Sequence, residues 1–317
     1  MRMCCPICSS ACEPRPLRCF CSAGCRYELA HCRSCDLMFW TPPSQPTELY
    51  YSSLDFGIYD TSHGSGHEEL SAHQRAFPRH YRGRRGKLLD VGCSDGNFLR
   101  WAQSNGFEVY GVDIDSVALQ HARRITPRVW LLTLAEFAEW ASGQGLRFDV
   151  ITFFDVLEHQ PQPLPFLRSA ARLLVPGGWI AGTVPNRQRL VKTGRSACEA
   201  FWDFPPHHFL WFNAGALRSA LVAGGLNGVE VQCQMYGYAT PEMLRLAGNP
   251  VKRLALGRAP QGRAPEAPSA MMPEWLFQAL RQAKQAAQVL PQAMEAGVER
   301  LARAGGSLYF QGRHDVD

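Results

Sequence analysis

From residue 87 onward, short apolar runs alternate with amphipathic stretches in a steady rhythm. Lys87–Val91, Glu108–Val112, Arg128–Leu132 and Phe148–Phe154 read as strands. The helical spacing of apolar positions predicts helices over Asn97–Ser104, Ser116–Arg124, Leu134–Ala141 and Pro165–Leu174. Pro176-Gly177-Gly178 reads as the stop before a fifth strand, Trp179–Val184, and a further helix (Asn213–Ala223) and strand (Val229–Met235) follow. The fourth strand is apolar nearly throughout, which puts it at the centre of a sheet covered on both faces. Repeated strand–turn–helix units at this spacing predict an α/β fold with a mostly parallel sheet, whose ligands bind at the carboxyl ends of the strands.

The pattern breaks at both ends. Residues 1–40 are a cysteine module, and 41–86 a linker and strap. The strap opens on Thr41-Pro-Pro-Ser-Gln-Pro46, carries Tyr50, Tyr51, Phe56 and Tyr59, and ends in a short helix over Glu68–His80 and a basic run (Arg79, Arg82, Arg84, Arg85, Lys87). The βα repeat occupies 87–240. Residues 241–303 begin Pro- and Gly-rich and end in a long helical stretch with a rough apolar stripe, a mainly helical insertion. Residues 304–317 hold Leu308-Tyr-Phe-Gln-Gly312, which reads either as a final strand, the preferred reading, or as the remnant of a protease-cleavage sequence.

Composition narrows the class. The chain has 317 residues, 46% hydrophobic and 19% charged, with a net charge of +5. A core can be filled, wholesale disorder is excluded, and nucleic acid is permitted but not demanded. No apolar run reaches a membrane-spanning length, and Met1–Cys12 has no signal-peptide core, so a cytoplasmic location is expected. Of the 12 cysteines, nine fall in the first 35 residues. A reducing compartment disfavours disulfides, so Cys5-Pro-Ile-Cys8 and Cys32-Arg-Ser-Cys35 read as two thiolate pairs on two turns, the ligand set of a structural Zn2+. Cys4 can stand in for Cys5, and Cys12, Cys19, Cys21 and Cys25 are either a second site or loop thiols. An iron–sulfur cluster takes the same residues.

At the first strand–helix junction, Asp90-Val-Gly-Cys-Ser-Asp-Gly96 supplies two glycines for a tight turn and close backbone approach to a ligand. Asp113 ends the second strand, where a carboxylate can accept both hydroxyls of a ribose. The spacing is not GxGxxG, which counts against a dinucleotide. Gly111-Val-Asp-Ile-Asp115, Phe148–His159 and Leu173-Leu-Val-Pro-Gly-Gly-Trp179 complete the set. Together these motifs resemble the class I S-adenosylmethionine-dependent methyltransferases, in particular the UbiG/Coq3-like branch. Cys5–Cys8, Cys32–Cys35, Leu37, Phe39, Pro42, Tyr50 and Tyr51 are similar to the zinc-ribbon-like front module of one grouping. The resemblance implies a Rossmann-like seven-stranded sheet with its last strand antiparallel. It implies S-adenosyl-L-methionine held by Asp90, Gly92, Cys93, Ser94, Gly96, Asn97, Phe98, Asp113, Ile114, Leu134, Ala135, Phe154 and Asp155.

Methyl transfer to a hydroxyl needs alignment, exclusion of water and usually a base. His159, His207 and His208 are the candidate catalytic residues, the last two inside the aromatic stretch Trp202–Phe212. Each reads equally as a hydrogen-bonded histidine in a rigid loop. Asp155, Glu158 and His159 can alternatively hold a divalent cation. Tyr51, Asn186, Arg187 and Trp202 are the expected substrate-binding side chains. The expected acceptor is a small molecule: a sugar, a polysaccharide precursor or a natural-product intermediate, with a carrier protein as a candidate partner. An RNA methyltransferase with a zinc clamp and a non-catalytic docking module are the alternatives. The short basic run and the lack of an aromatic stacking platform count against RNA.

Overall fold

The computed structural model describes residues 3–22, 25–43, 70–83, 85–188, 204–234 and 307–315. The calls on Tyr51, Trp202 and the 241–303 insertion lie outside them. Two sheets organise the described residues. The larger has seven strands: β5 (Lys87–Val91), β6 (Glu108–Asp113), β7 (Val129–Leu131), β8 (Phe148–Phe154), β9 (Leu174–Pro185), β11 (Asn227–Gln234) and β12 (Ser307–His314). Their order is β11-β12-β9-β8-β5-β6-β7. Strands β5 to β9 run parallel to their neighbours, and β12 inserts antiparallel between β9 and β11. The Leu308–Gly312 segment lies within a paired strand, with Leu308, Tyr309 and Phe310 fully buried.

The helices start where the sequence offers caps. Helix α2 (Asn97–Ser104) follows Gly96, whose φ of +82° turns the chain out of the glycine loop. Helix α3 (Ser116–Ala122) is capped by Asp115, which accepts from the amides of Val117 and Ala118. Helix α4 (Leu134–Gly143) begins with a reciprocal box between Thr133 and Glu136, and α6 (Ala214–Ala223) is capped by Asn213. Helix α5 (Pro163–Arg172) has proline in its first turn. The preceding helix, α1 (Ala76–His80), is shorter than its sequence pattern predicts. Pro176-Gly177-Gly178 does not separate a helix from a strand. It lies inside β9 as an irregularity in the pairing with β8, with Gly177 at φ +75°. The glycine there absorbs a bulge rather than ending an element.

The second sheet joins chain segments far apart in sequence. Strands β1 (Met3–Cys4), β2 (Ala11–Ser22), β3 (Cys25–His31) and β4 (Met38–Thr41) form an antiparallel ribbon. Its fifth strand is β10 (Leu210–Trp211), which pairs with β4 and comes from beyond β9. Trp40, Phe204 and Trp211 pack their rings at 5.3–5.5 Å across this joint. The buried cores of the cysteine module and of one face of the large sheet are continuous.

Candidate functional site

The glycine loop leaves β5 at its carboxyl end. Gly92 has φ +74°, and a Cβ there would meet Val156 Cγ2 at 2.6 Å. Asp90 is buried, with Oδ1 accepting from the Thr152 hydroxyl at 2.7 Å. Burial pushes its carboxyl well above the ordinary range. Asp113 accepts from the Ser94 amide at 2.7 Å and the Asp115 amide at 2.9 Å. Burial raises its pKa, and these amides pull against the rise. The loop and the second-strand acid are therefore one hydrogen-bonded unit. Cys93 is buried beneath it, with its thiol beside Gly111, and the Phe98 and Phe154 rings meet at 4.7 Å behind it. Asn97 opens α2, and Leu134 and Ala135 open α4. Ile114 follows Asp113 at the end of β6. These residues border one end of the sheet. A buried carboxyl at Asp90, the glycine turn from Gly92 to Gly96 and a fixed acid at Asp113 fit the amino, methionyl and ribose parts of S-adenosylmethionine.

The β8 end of the same rim carries titratable groups. Asp155, at φ +55°, holds the Nδ1 of His73 at 2.6 Å and accepts from the Thr183 hydroxyl at 3.1 Å. Burial would raise its carboxyl, but His73 outweighs this and holds it below the usual carboxylate range. A short 3-10 turn, Leu157–His159, follows. The His159 Nδ1 donates to the His207 carbonyl at 2.6 Å, and the His159 and His208 rings meet at 4.6 Å. Burial, with His208 adjacent, pushes His159 down to about 3, and burial brings His207 to about 4. His208 Nε2 is 3.9 Å from buried Glu158. The structure thus gathers the three sequence-selected histidines from two distant segments. The donor atoms of Glu158, His159 and His208 lie within 4.8 Å of one another, a spacing that a divalent cation can bridge. Asp155 is instead engaged by His73.

Asn186 and Arg187 lie just past β9 and are buried. The Asn186 side chain accepts from the Gln188 amide at 3.0 Å and reaches Cys233. The Arg187 guanidinium binds Asp36, whose carboxylate also takes hydrogen bonds from Asn213 and from His31. Arg187 therefore fastens the cysteine module to the large sheet. Asp36 and His73 were absent from the sequence-based selection. Asp36 directly follows Cys35, but neither residue belongs to a recognisable motif.

In the module, Cys5 and Cys35 place their sulfurs 3.5 Å apart, and Cys8 and Cys32 theirs 3.4 Å apart. All four lie within 4.8 Å of one another. A tetrahedral zinc–thiolate shell has sulfur–sulfur edges of about 3.8 Å, so the set needs little adjustment to hold the ion. Cys4 is exposed and outside the group, which decides between it and Cys5. Burial raises Cys5 to about 11, whereas backbone amides and neighbouring thiols outweigh burial at Cys32 and bring it to about 6. Four thiols this close cannot all ionise without a cation.

Comparison with known proteins agrees with this geometry. A family model described as a methyltransferase domain matches residues 67–231, more than half of the chain. The chain belongs to this methyltransferase-domain family. It is similar to the ubiquinone biosynthesis O-methyltransferase of Alkalilimnicola ehrlichii, 35% identical over 107 residues, 32% of this chain and 42% of the relative. That of Bordetella avium is 32% identical over 165 residues, 45% of this chain and 65% of the relative. The chain spans about half the length of the curated relatives it matches. Among solved structures, the plantazolicin methyltransferase BamL with SAH aligns with a TM-score of 0.50 at 14% identity, covering 85% of this chain and 94% of that one. The methyltransferase complexed with the Trm112 activator of Haloferax volcanii also gives 0.50, at 16% identity, covering 83% and 96%. Likeness at this identity shows the shared fold. Among the described residues, no helix is long and apolar enough to cross a membrane.

Proposed function

We propose that the chain transfers a methyl group from S-adenosylmethionine to a hydroxyl of a small-molecule acceptor. A sugar, a polysaccharide precursor or a natural-product intermediate is the class to test first. The observation that carries this reading is the meeting, at the carboxyl ends of the central strands, of the Gly92–Gly96 loop with its Asp113 partner and the cluster of Asp155, His159, His207 and His208. The ubiquinone-pathway O-methyltransferases among the curated relatives support the choice of a hydroxyl acceptor. When bound, S-adenosylmethionine supplies a methyl group on a positively charged sulfur. Asp113 would hold the ribose, Asp90 the amino end, and the Gly92–Gly96 turn would border the methionyl part. His159, His207 and His208 would line the acceptor side, where the buried proline–histidine segment excludes water. In the same reading Cys5, Cys8, Cys32 and Cys35 hold a structural Zn2+, the protein works in the cytoplasm, and a carrier protein can present the acceptor.

Calorimetric titration of metal-replete protein with S-adenosylmethionine and S-adenosylhomocysteine tests the first half. One-site micromolar binding is expected, and folded protein that binds neither would sink the reading. A panel of sugar nucleotides and catechols, scored by S-adenosylhomocysteine release, tests the second half. Elemental analysis should return about one zinc per chain.

A further inference from the structure

A tetrahedral zinc shell takes four thiolates, and the cysteine module brings a fifth thiol up to them. Cys5, Cys8, Cys32 and Cys35 form the set. Cys12 stands beside it, buried, with its thiol donating to the Ser10 carbonyl at 3.4 Å. Strand register fixes its place. Strands β2 and β3 run antiparallel and pair Pro14 with Ala30 and Glu13 with His31. One step further, the same register sets Cys12 opposite Cys32. Opposed residues of such a ladder have Cα atoms about 4.5–5.5 Å apart, within the range of about 4.4–6.8 Å that a disulfide spans. Of the four ligand sulfurs, Cys32 acts most strongly on the Cys12 thiol.

Cys8 is the solvent-facing member of the set. It is exposed, whereas Cys5 and Cys32 are buried and Cys35 is half-buried. Its sulfur lies 3.4 Å from that of Cys32 and donates to the Ser10 hydroxyl at 3.3 Å. A small oxidant therefore meets Cys8 first, since thiol reactivity follows exposure as well as thiolate character. Three sulfurs lead inward from there: Cys8 in the turn after β1, Cys32 against it, and Cys12 across the ladder from Cys32.

We propose that Cys12 and Cys32 form a hydroperoxide-driven modification site, with Cys12 the thiol that takes Cys32 out of the ligand set. The release of metal that follows rests on the reading of the four cysteines as zinc ligands. The Cys8 thiolate takes one oxygen from the hydroperoxide and becomes a sulfenic acid; the sulfur is oxidised by two electrons and the O–O bond is reduced. The Cys32 thiolate attacks that sulfur. An S–S bond forms, the S–O bond breaks and hydroxide leaves. The Cys12 thiol then attacks Cys32, its proton passing to the outgoing Cys8 sulfur. The bridge ends between Cys12 and Cys32, where both strands hold it, and Cys8 returns to a thiol. The cation, left without Cys32, is released.

The test treats the zinc-loaded full chain with hydrogen peroxide. Free thiols are alkylated, bridges are mapped by mass spectrometry, and released zinc is read with a chromophoric chelator. A Cys12–Cys32 bridge should appear in step with zinc release, with Cys8 recovered as an alkylated thiol, and dithiothreitol should restore both the thiols and zinc binding. C12S should carry the wild-type zinc content before oxidation, which also shows that its module folds, and its bridge should stop at Cys8–Cys32. Cys12 recovered as a free thiol from wild-type protein that has lost its zinc overturns the proposal. Zinc and thiols that peroxide leaves in place overturn it too, as does a zinc-loaded C12S that forms no bridge. The wild-type map decides even where C12S fails to hold zinc. A full chain that binds no zinc at all defeats the metal reading instead, a distinct outcome, and the same map then scores the thiol pair on its own.

Discussion

Replacing Asp36 tests whether the cysteine module is fused to the seven-stranded sheet or merely tethered. Asp36 follows Cys35 at φ +57° and joins His31 at 2.6 Å, Arg187 at 2.9 Å and Asn213. The Arg187 side chain is 10% exposed and that of Asp36 50%. Removing the carboxylate takes the charged partner from a largely buried guanidinium and leaves it the Asp36 carbonyl. A charge-assisted bond of this kind contributes about 1.5–3 kcal/mol, and the exposed side of Asp36 places this pair near the lower end, about 2 kcal/mol. Alanine adds about 1 kcal/mol for its left-handed backbone, which asparagine tolerates better. D36A should thus cost about 3 kcal/mol and D36N between about 1 and 2. At about 2–4 °C per kcal/mol, thermal unfolding of metal-replete protein should fall by about 6–12 °C for D36A. A D36A/R187A double-mutant cycle should return about 1–2 kcal/mol of coupling. His31, Arg187 and Asn213 outweigh burial and lower the Asp36 pKa, so this stabilisation is present above the ordinary carboxylate range and fades as pH falls through the lower folded value. A D36A midpoint within 2 °C of wild type, or strict additivity with R187A, would refute the latch.

Three further outcomes follow from the same geometry. C32S should release the bound metal, measured by elemental analysis, and should raise amide exchange in Phe209–Trp211 as well as in the module, because β10 pairs with β4. D90N should raise the melting temperature of cofactor-free protein, by on the order of 1 kcal/mol of stability, because the native site penalises that charge at neutral pH; calorimetry should show S-adenosylmethionine affinity falling tenfold or more. His207 is held neutral with its pKa at about 4, below the ordinary 6.5, so the folded state loses stability as pH falls from 6.5 towards 4. Urea unfolding at pH 7 and pH 5 should show a loss of up to about 1.4 kcal/mol per pH unit from this group, absent in H207Q; identical pH slopes would contradict it.

The βα repeat was legible because each element carries its own period and punctuation. Leu88, Leu89 and Val91 fill a strand that a glycine turn must follow, and Asp115, Thr133 and Asn213 sit where caps belong. The cysteine set was legible because ligand spacing is local. Pro176-Gly177-Gly178 misled because a bulge inside a long strand uses the same residues as a helix stop. The β10–β4 pairing, the Asp36 latch and the His73–Asp155 pair were not legible, since each joins residues 82 to 177 positions apart with no residue type that announces a partner. The histidine pair at 207–208 stood out only because two prolines and several aromatics surround it.

These long-range joints bear on what the cysteine module does. The four strands of the cysteine module gain a fifth from beyond β9, and the residues just before it, His207 and His208, meet His159 after β8. The Trp40 amide donates to the Phe209 carbonyl at 2.9 Å, the Phe209 amide to the Glu158 carbonyl at 3.0 Å, and the His207 carbonyl accepts from His159. A continuous set of backbone bonds therefore runs from the strand that follows Cys35 to the 3-10 turn that follows Asp155. Packed elements of this kind shift as units rather than deforming smoothly. With the four cysteines read as cation ligands, removal of the cation would loosen the segment that carries His207 and His208 while leaving the glycine loop, which is fastened to Asp113 on the other side of β5, in place. Metal-depleted protein should accordingly keep its affinity for S-adenosylhomocysteine within a few-fold while losing turnover, and a parallel loss of both would mean that the module supports the whole sheet rather than the acceptor side alone.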